Sequence, residues 1–256
     1  MAITRSANPA LNKSTFEKEV SRTDDSQVMT LQGTVNKAFI MLILVVLGAV
    51  YTWNRFFEAP PELAARAVSG WMIGGGIGGF VAALVTIFRR AWSPFTAPVY
   101  AVLEGLFLGA LSAFVEAQYQ GQGLVMQAVA LTFATLLSLL VAYKTKLIKV
   151  TQNFRLGVFA ATGGIALVYL TSFILGLFGV QVGFIHGNST LSILVSVVVI
   201  VVAALNLVLD FDFIEKGARA GVPKYMEWYA AFGLMVTLIW LYIEFLRLLS
   251  KLASRN

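Results

Sequence analysis

Five carboxylates stand within or beside apolar stretches of this chain, and carboxylates are the side chains that bind protons and hard cations. Asp210 and Asp212 close the run VVAALNLVLDFDFIEKGARAG, residues 201–221. Glu104 stands in VYAVLEGLFLGAL, and Glu227 and Glu244 stand in YMEWYAAFGL and LYIEFLRLLSKL. A charge at membrane depth costs at least about 2.5 kcal/mol on insertion scales, so each of these acids needs a partner or a purpose.

On a helix, partners stand three or four residues away. Asp212 has Lys216 at i+4, Glu244 has Arg247 at i+3, and Glu227 has Lys224 at i−3. Glu227 also falls in a first helical turn, where the helix dipole favours negative charge. Each of these three has a structural reading. Asp210 has no such neighbour: among Asn206, Leu207, Phe213 and Ile214, only Asn206 can hydrogen-bond it. Glu104 is similar, since only Tyr100 among its helical neighbours offers a donor.

Levels along the helices can be compared at about 1.5 Å per residue. Glu104 falls roughly 10 Å into its segment and Asp210 roughly 8 Å from the end of its own. Glu227 lies one turn into the last segment from the same side, and Glu244 roughly 25 Å further on. Asp210, Glu104 and Glu227 are therefore expected as an acidic cluster in one half of the bundle. Like charges in a low dielectric cannot all ionise, so such a cluster takes up protons. It can act as a proton-operated latch, or hold a hard divalent cation through oxygen ligands, with Asp210 and Glu104 as the candidate calcium ligands.

The elements that must position these acids are apolar helices. The chain has 256 residues, 58% hydrophobic and 12% charged, where soluble domains carry about 25% charge. A bilayer core needs about 20 helical residues per crossing. Seven segments qualify, at about 34–53, 67–88, 97–115, 124–143, 156–179, 191–212 and 225–249. The expected fold is all-α: a polytopic seven-helix membrane bundle over residues 34–252, preceded by a polar cytoplasmic tail over residues 1–33. That tail lacks the apolar core of a cleavable signal peptide. The loops after segments two, four and six carry Arg89, Arg90, Lys144, Lys146, Lys149, Arg155, Lys216, Arg219 and Lys224. The loops after segments three and five carry no Lys or Arg. The positive-inside rule places the N-terminus inside and the C-terminus outside. Arg247, Lys251 and Arg255 oppose that orientation, which leaves a re-entrant last segment as an alternative.

Other motifs carry less. WMIGGGIGGFVAALV holds a formal G-x-G-x-x-G at Gly74, Gly76 and Gly79, but no strand precedes it, so nucleotide binding is set aside. Gly70, Gly74 and Gly78 repeat every four residues, as do Gly75 and Gly79; this spacing suits close helix packing. His186 reads as a loop histidine, and Asn188-Ser189-Thr190 is a weak match to a glycosylation acceptor. The chain has no cysteine and one histidine, which excludes disulfides, thiolate metal sites and multi-histidine metal sites. No basic block has the aromatic interleaving of a nucleic-acid reader.

VLDFDFIEKG resembles the D-x-x-x-I signature that closes the sixth helix of the Bax inhibitor-1 family. YMEWYAAFGL and LYIEFLRLLSKL resemble the aromatic-flanked acidic segment of that family's last helix. The resemblance spans roughly residues 30–252. It implies a seven-helix fold with the last helix surrounded by the other six, and a pH-sensitive calcium leak. It further implies a sensing pair of acids, one in helix six and one in helix seven. Asp210 is the helix-six acid on this resemblance. The helix-seven acid is Glu244 by its local phrase or Glu227 by its level. A bacterial cytoplasmic membrane is the implied location.

Two functions remain in competition. One is a proton-gated calcium leak, with calcium as the transported or bound ion and no other cofactor. The other is a membrane-embedded regulator of a partner complex such as a membrane protease. An enzyme is not expected. There is no G-x-G-D motif, no paired intramembrane histidine, and no lysine inside the last segment before Lys251.

Overall fold

The structure, a computed structural model, describes residues 28–180, 183 and 187–255. His186 lies outside the described residues, as does the tail through residue 27. Seven long helices account for nearly all that is described. They are α1 (Leu31–Glu58), α2 (Pro61–Phe88), α3 (Ser93–Gln118), α4 (Leu124–Lys144), α5 (Gln152–Leu177), α6 (Thr190–Arg219) and α7 (Met226–Ala253). All seven are long and apolar enough to cross a membrane.

The local sequence sets the helix ends. Thr30 caps α1 by accepting from the Gly33 N–H, Thr151 caps α5 through Phe154, and Ser189 caps α6 through Ser192. A side-chain oxygen at that position satisfies an N–H that the helix itself leaves unpaired. Pro61 opens α2, where its missing N–H costs nothing. The turn between α6 and α7 passes through Gly221 at φ +63°, a left-handed conformation that favours glycine.

The helices overrun the apolar segments. At 21 to 30 residues each, they are roughly 30–45 Å long, so several project beyond a hydrocarbon core of about 30 Å. Residues 28–33 are not loose tail as expected. Val28 bridges Pro223, the Met29 N–H donates to the Val222 carbonyl at 2.7 Å, and α1 begins at Leu31.

α7 is the central helix. It packs against α1, α3, α4 and α6, while α2 lies on α3 and α1, and α5 lies on α6. Its buried residues include Ala231, Met235, Leu241 and Leu246, a series that runs the length of the helix. It is continuous from Met226 to Ala253, so the last segment is a full-length helix rather than a re-entrant one. Outward-facing residues such as Phe39, Ile77, Leu137, Leu167 and Val198 remain exposed, as lipid contact requires.

The glycine pattern needs correction. Gly75 and Gly79 do face α3: a methyl group on Gly75 would come 2.6 Å from the Leu103 carbonyl oxygen, and one on Gly79 would come 3.0 Å from Glu104 Oε1. Gly70 and Gly74 have open space around them. The tightest approach is elsewhere, between α1 and α3. Gly105 and Gly109 lie so near Val45 and Ala49 that a side chain at either would overlap the α1 backbone. The Gly105–Gly109 spacing is the same small-residue signal, in a segment where Glu104 had drawn attention.

Gly105→Leu is expected to destabilise the bundle by about 1–3 kcal/mol or more, since a well-packed contact must open. Gly74→Ala is expected to change stability by no more than about 0.5 kcal/mol. Thermal unfolding of the detergent-solubilised protein checks both.

Candidate functional site

The carboxylates sort by what meets them. Glu227, 1% exposed, is bound from α1: the Thr30 N–H donates at 2.9 Å, the Thr30 hydroxyl at 3.0 Å, and the Lys37 ammonium pairs with its other oxygen. The expected i−3 partner is not the one that holds this acid; the salt bridge runs to Lys37 of α1. Gly33 has no side chain because the Glu227 carboxyl occupies that space. The Lys37 ammonium also lies 5.7 Å from the Trp228 ring centroid. Lys37 was legible as a lone cation in the first apolar segment, but its partner is 190 residues away.

Glu244, also 1% exposed, is held at the other end of α7. Arg247 Nη1 lies 3.2 Å from its Oε1, as the i+3 spacing predicts. The Tyr169 hydroxyl of α5 donates to Glu244 at 3.0 Å and accepts from Arg247 at 2.7 Å. One turn on, buried Lys251 donates to Ser196 Oγ at 2.8 Å and to the Ser192 carbonyl at 3.2 Å. Two of the three C-terminal cations that opposed the orientation are therefore engaged inside the bundle.

Asp212 is met twice on its own side, by Lys216 Nζ at 2.8 Å and by Arg155 Nη2 of α5 at 2.5 Å. The first partner follows from sequence spacing and the second from packing. Glu215 is paired as well, with Arg219 and with the Tyr143 hydroxyl of α4.

Asp210 is different. Asn206, its one expected partner, donates instead to Thr162 Oγ1 at 2.8 Å and to the Val202 carbonyl at 2.9 Å. The correction has a simple cause: the Asn206 amide satisfies its own helix and α5 first. The Asp210 carboxyl lies toward α7 near Thr237, whose hydroxyl donates to the Gly233 carbonyl at 3.3 Å. Its Oδ2 is buried and has no hydrogen-bond partner among the described residues. It lines a cavity of about 610 Å³ shared with Asn206, Asp212, Arg155, Lys216 and Tyr229.

Glu104 lines a second cavity, of about 460 Å³, between α2, α3 and α7. Among the described residues no salt bridge or hydrogen bond reaches it. Tyr100, the expected donor, is buried with its ring against Phe232, centroids 4.9 Å apart.

The three-acid cluster is not formed. Among the described residues no three acids or histidines converge as a metal site would require. Glu227 and Glu244 lie on the two sides of Thr237 along α7, seven residues away in one direction and ten in the other. Those separations are roughly 10 Å and 15 Å along the axis. The structure pairs Asp210 with neither.

Seven apolar helices with ionisable groups held inside the bundle define a multi-pass membrane protein. Residues 8–254 match the family described as Bax inhibitor 1 like, and the chain belongs to that family. No curated protein matches the chain.

Removing one partner of a buried ion pair typically costs about 3–5 kcal/mol, because the other charge is stranded. Lys37→Met is expected to lower the unfolding temperature clearly, and the double variant Lys37→Met/Glu227→Gln to recover part of the loss. A double-mutant cycle read by thermal unfolding checks the coupling.

Proposed function

We propose that this protein is a pH-sensitive cation leak, with calcium as the ion and Asp210 as the group that both meets it and senses protons. The observation that carries the reading is the buried Asp210 Oδ2, which has no hydrogen-bond partner among the described residues, on a cavity that also carries Arg155, Asn206, Asp212 and Lys216. An intramembrane acid whose neighbours are all engaged elsewhere is costly, and such residues mark ion paths and proton relays. Asp212, Glu215, Glu227 and Glu244 each have a cation beside them; they read as fasteners of the bundle. Family membership supports the same reading, since a leak is what the resemblance implies.

The charged and titratable groups around Asp210 matter for its response. Arg155 and Lys216 line the same cavity, but both pair with Asp212. Tyr229 of α7 also faces it, and Arg90 covers the Tyr229 ring at 5.4 Å. Protonated, Asp210 is a neutral acid and a poor cation ligand; deprotonated, it is the hard oxygen ligand that calcium takes. No enzymatic step enters this reading. The orientation proposed with it places the Arg155–Lys216 face on the inside, following the basic loops.

The test is calcium flux into proteoliposomes holding the purified protein, from about pH 5 to about pH 8, where a carboxylate ligand replaces the neutral acid. Flux is expected to rise with pH. Asp210→Asn is expected to lower it and flatten the pH profile, while Asp212→Asn, whose charge is already paired, keeps the profile. Flux no greater than that of empty liposomes, with the protein folded, would overturn the leak.

A further inference from the structure

A long groove on another side of the bundle is explained neither by the ion pairs nor by Asp210. α1 and α4 both pack against α3 and α7, but they are not packed on one another. The gap between them is a cavity of about 500 Å³, with Leu108 of α3 and Met235 and Ile239 of α7 in its lining. Val46 and Val50 of α1 and Met126 and Phe133 of α4 also line it, and all four are exposed. The groove therefore opens sideways to hydrocarbon. From Trp53 to Leu42 it follows α1 for about 16 Å at 1.5 Å per residue, about half the depth of a hydrocarbon core.

The groove is apolar along its length and polar toward one end. That end holds Glu116, just before α3 stops at Gln118, and Trp53, near the close of α1. Among the described residues no salt bridge or hydrogen bond reaches Glu116, and no Lys, Arg or His lines the groove. The hydroxyls of the lining have spent their protons. Thr132 donates to the Ala128 carbonyl at 2.8 Å and Ser112 to the Leu108 carbonyl at 2.6 Å. A hydroxyl has a single proton, so in the Ser112–Tyr242 contact at 2.6 Å the donor is Tyr242. The carboxyl and hydroxyl oxygens left open are therefore acceptors. The Trp53 indole adds a ring face that attracts cations. A ligand that matches this end brings N–H donors and positive charge. A phosphate or a carboxylate would meet Glu116 with no cation to answer it, which sets phospholipids and fatty acids aside.

We propose that the groove between α1 and α4 binds a lipophilic amine, with its alkyl chain along Leu42, Val45 and Val46 and its ammonium group at Glu116 and the Tyr242 hydroxyl oxygen. A largely apolar lining with a few convergent polar groups is the make-up of a small-ligand site. The chain alone gains little by leaving the bilayer, since lipid tails are as apolar as the groove. The preference comes from Glu116. The groove shares no lining residue with the Asp210 cavity, so the site does not rest on the leak.

The probe is dodecylamine with a photoactivatable diazirine on its chain, added to the full chain in phosphatidylcholine vesicles at neutral pH. Peptide mass spectrometry locates the label. It is expected on the stretches around Val46 and Met126, and to be displaced by unlabelled dodecylamine but not by dodecanol or dodecanoate. Glu116→Gln is expected to lower the labelling there by about tenfold, through loss of one charge-assisted contact. Glu58→Gln removes an exposed acid at the end of α1, outside the groove, and is expected to leave the labelling unchanged. Val46→Trp fills the mouth from an exposed position and is expected to remove the label without touching Glu116. Displacement by dodecanol as effective as by dodecylamine would overturn the amine site and leave a groove filled by any apolar chain. Labelling of Glu116→Gln or of Val46→Trp at the wild-type level would overturn it as well. Displacement by phosphatidylethanolamine as effective as by dodecylamine would give the groove to a phospholipid and overturn the choice of a phosphate-free amine.

Discussion

A charge carried into a bilayer must be answered by another group, and in this protein that requirement falls most heavily on the central helix. α7 runs through the middle of the bundle with Glu227, Glu244 and Lys251 buried along it. Each finds its answer on a different helix. Glu227 is bound by Thr30 and Lys37 at the start of α1, Glu244 by Tyr169 of α5, and Lys251 by Ser192 and Ser196 of α6. The Lys37–Glu227 ion pair at one end, and the hydrogen bonds to Tyr169, Ser192 and Ser196 at the other, thus tie the central helix to its surroundings. Between them the packing is done by apolar contacts and by the glycines that let α1 and α3 approach.

Against that background Asp210 stands out because the same rule is not satisfied there. One carboxylate oxygen, Oδ2, is buried with no hydrogen-bond partner among the described residues, and a cavity lies beside it. The nearby cations are already committed to Asp212. Replacing such a group by an amide would cost the bundle little, which is the mark of a residue kept for something other than stability. Glu104, which no salt bridge or hydrogen bond reaches among the described residues, lines a cavity that shares Phe232 and Gly233 with that of Asp210.

Much of the fold was legible because it rests on local sequence. Seven runs of apolar residues of membrane length name seven helices, and the i+3 and i+4 spacings correctly gave Glu244 to Arg247 and Asp212 to Lys216. The sequence reading failed wherever the partner is remote. Lys37 and Glu227 are 190 residues apart, and Tyr169 and Glu244 are 75 apart; spacing on one helix carries no information about either. The expected cluster failed for a related reason. Similar depth suggested proximity, but depth says nothing of which face of the bundle a side chain occupies. Gly74 shows the same limit, since a four-residue glycine repeat marks a packing face without showing which of two overlapping repeats is buried.

The most direct test of the central claim compares the stability of conservative variants, Asp210→Asn, Glu227→Gln and Glu244→Gln, by thermal unfolding in one detergent at neutral pH. If Asp210 alone is kept for function, Asp210→Asn unfolds at the wild-type temperature or above it, while the two glutamine variants unfold lower. A loss of stability in Asp210→Asn as large as in Glu244→Gln would contradict the account, and would make Asp210 one more fastener of the bundle.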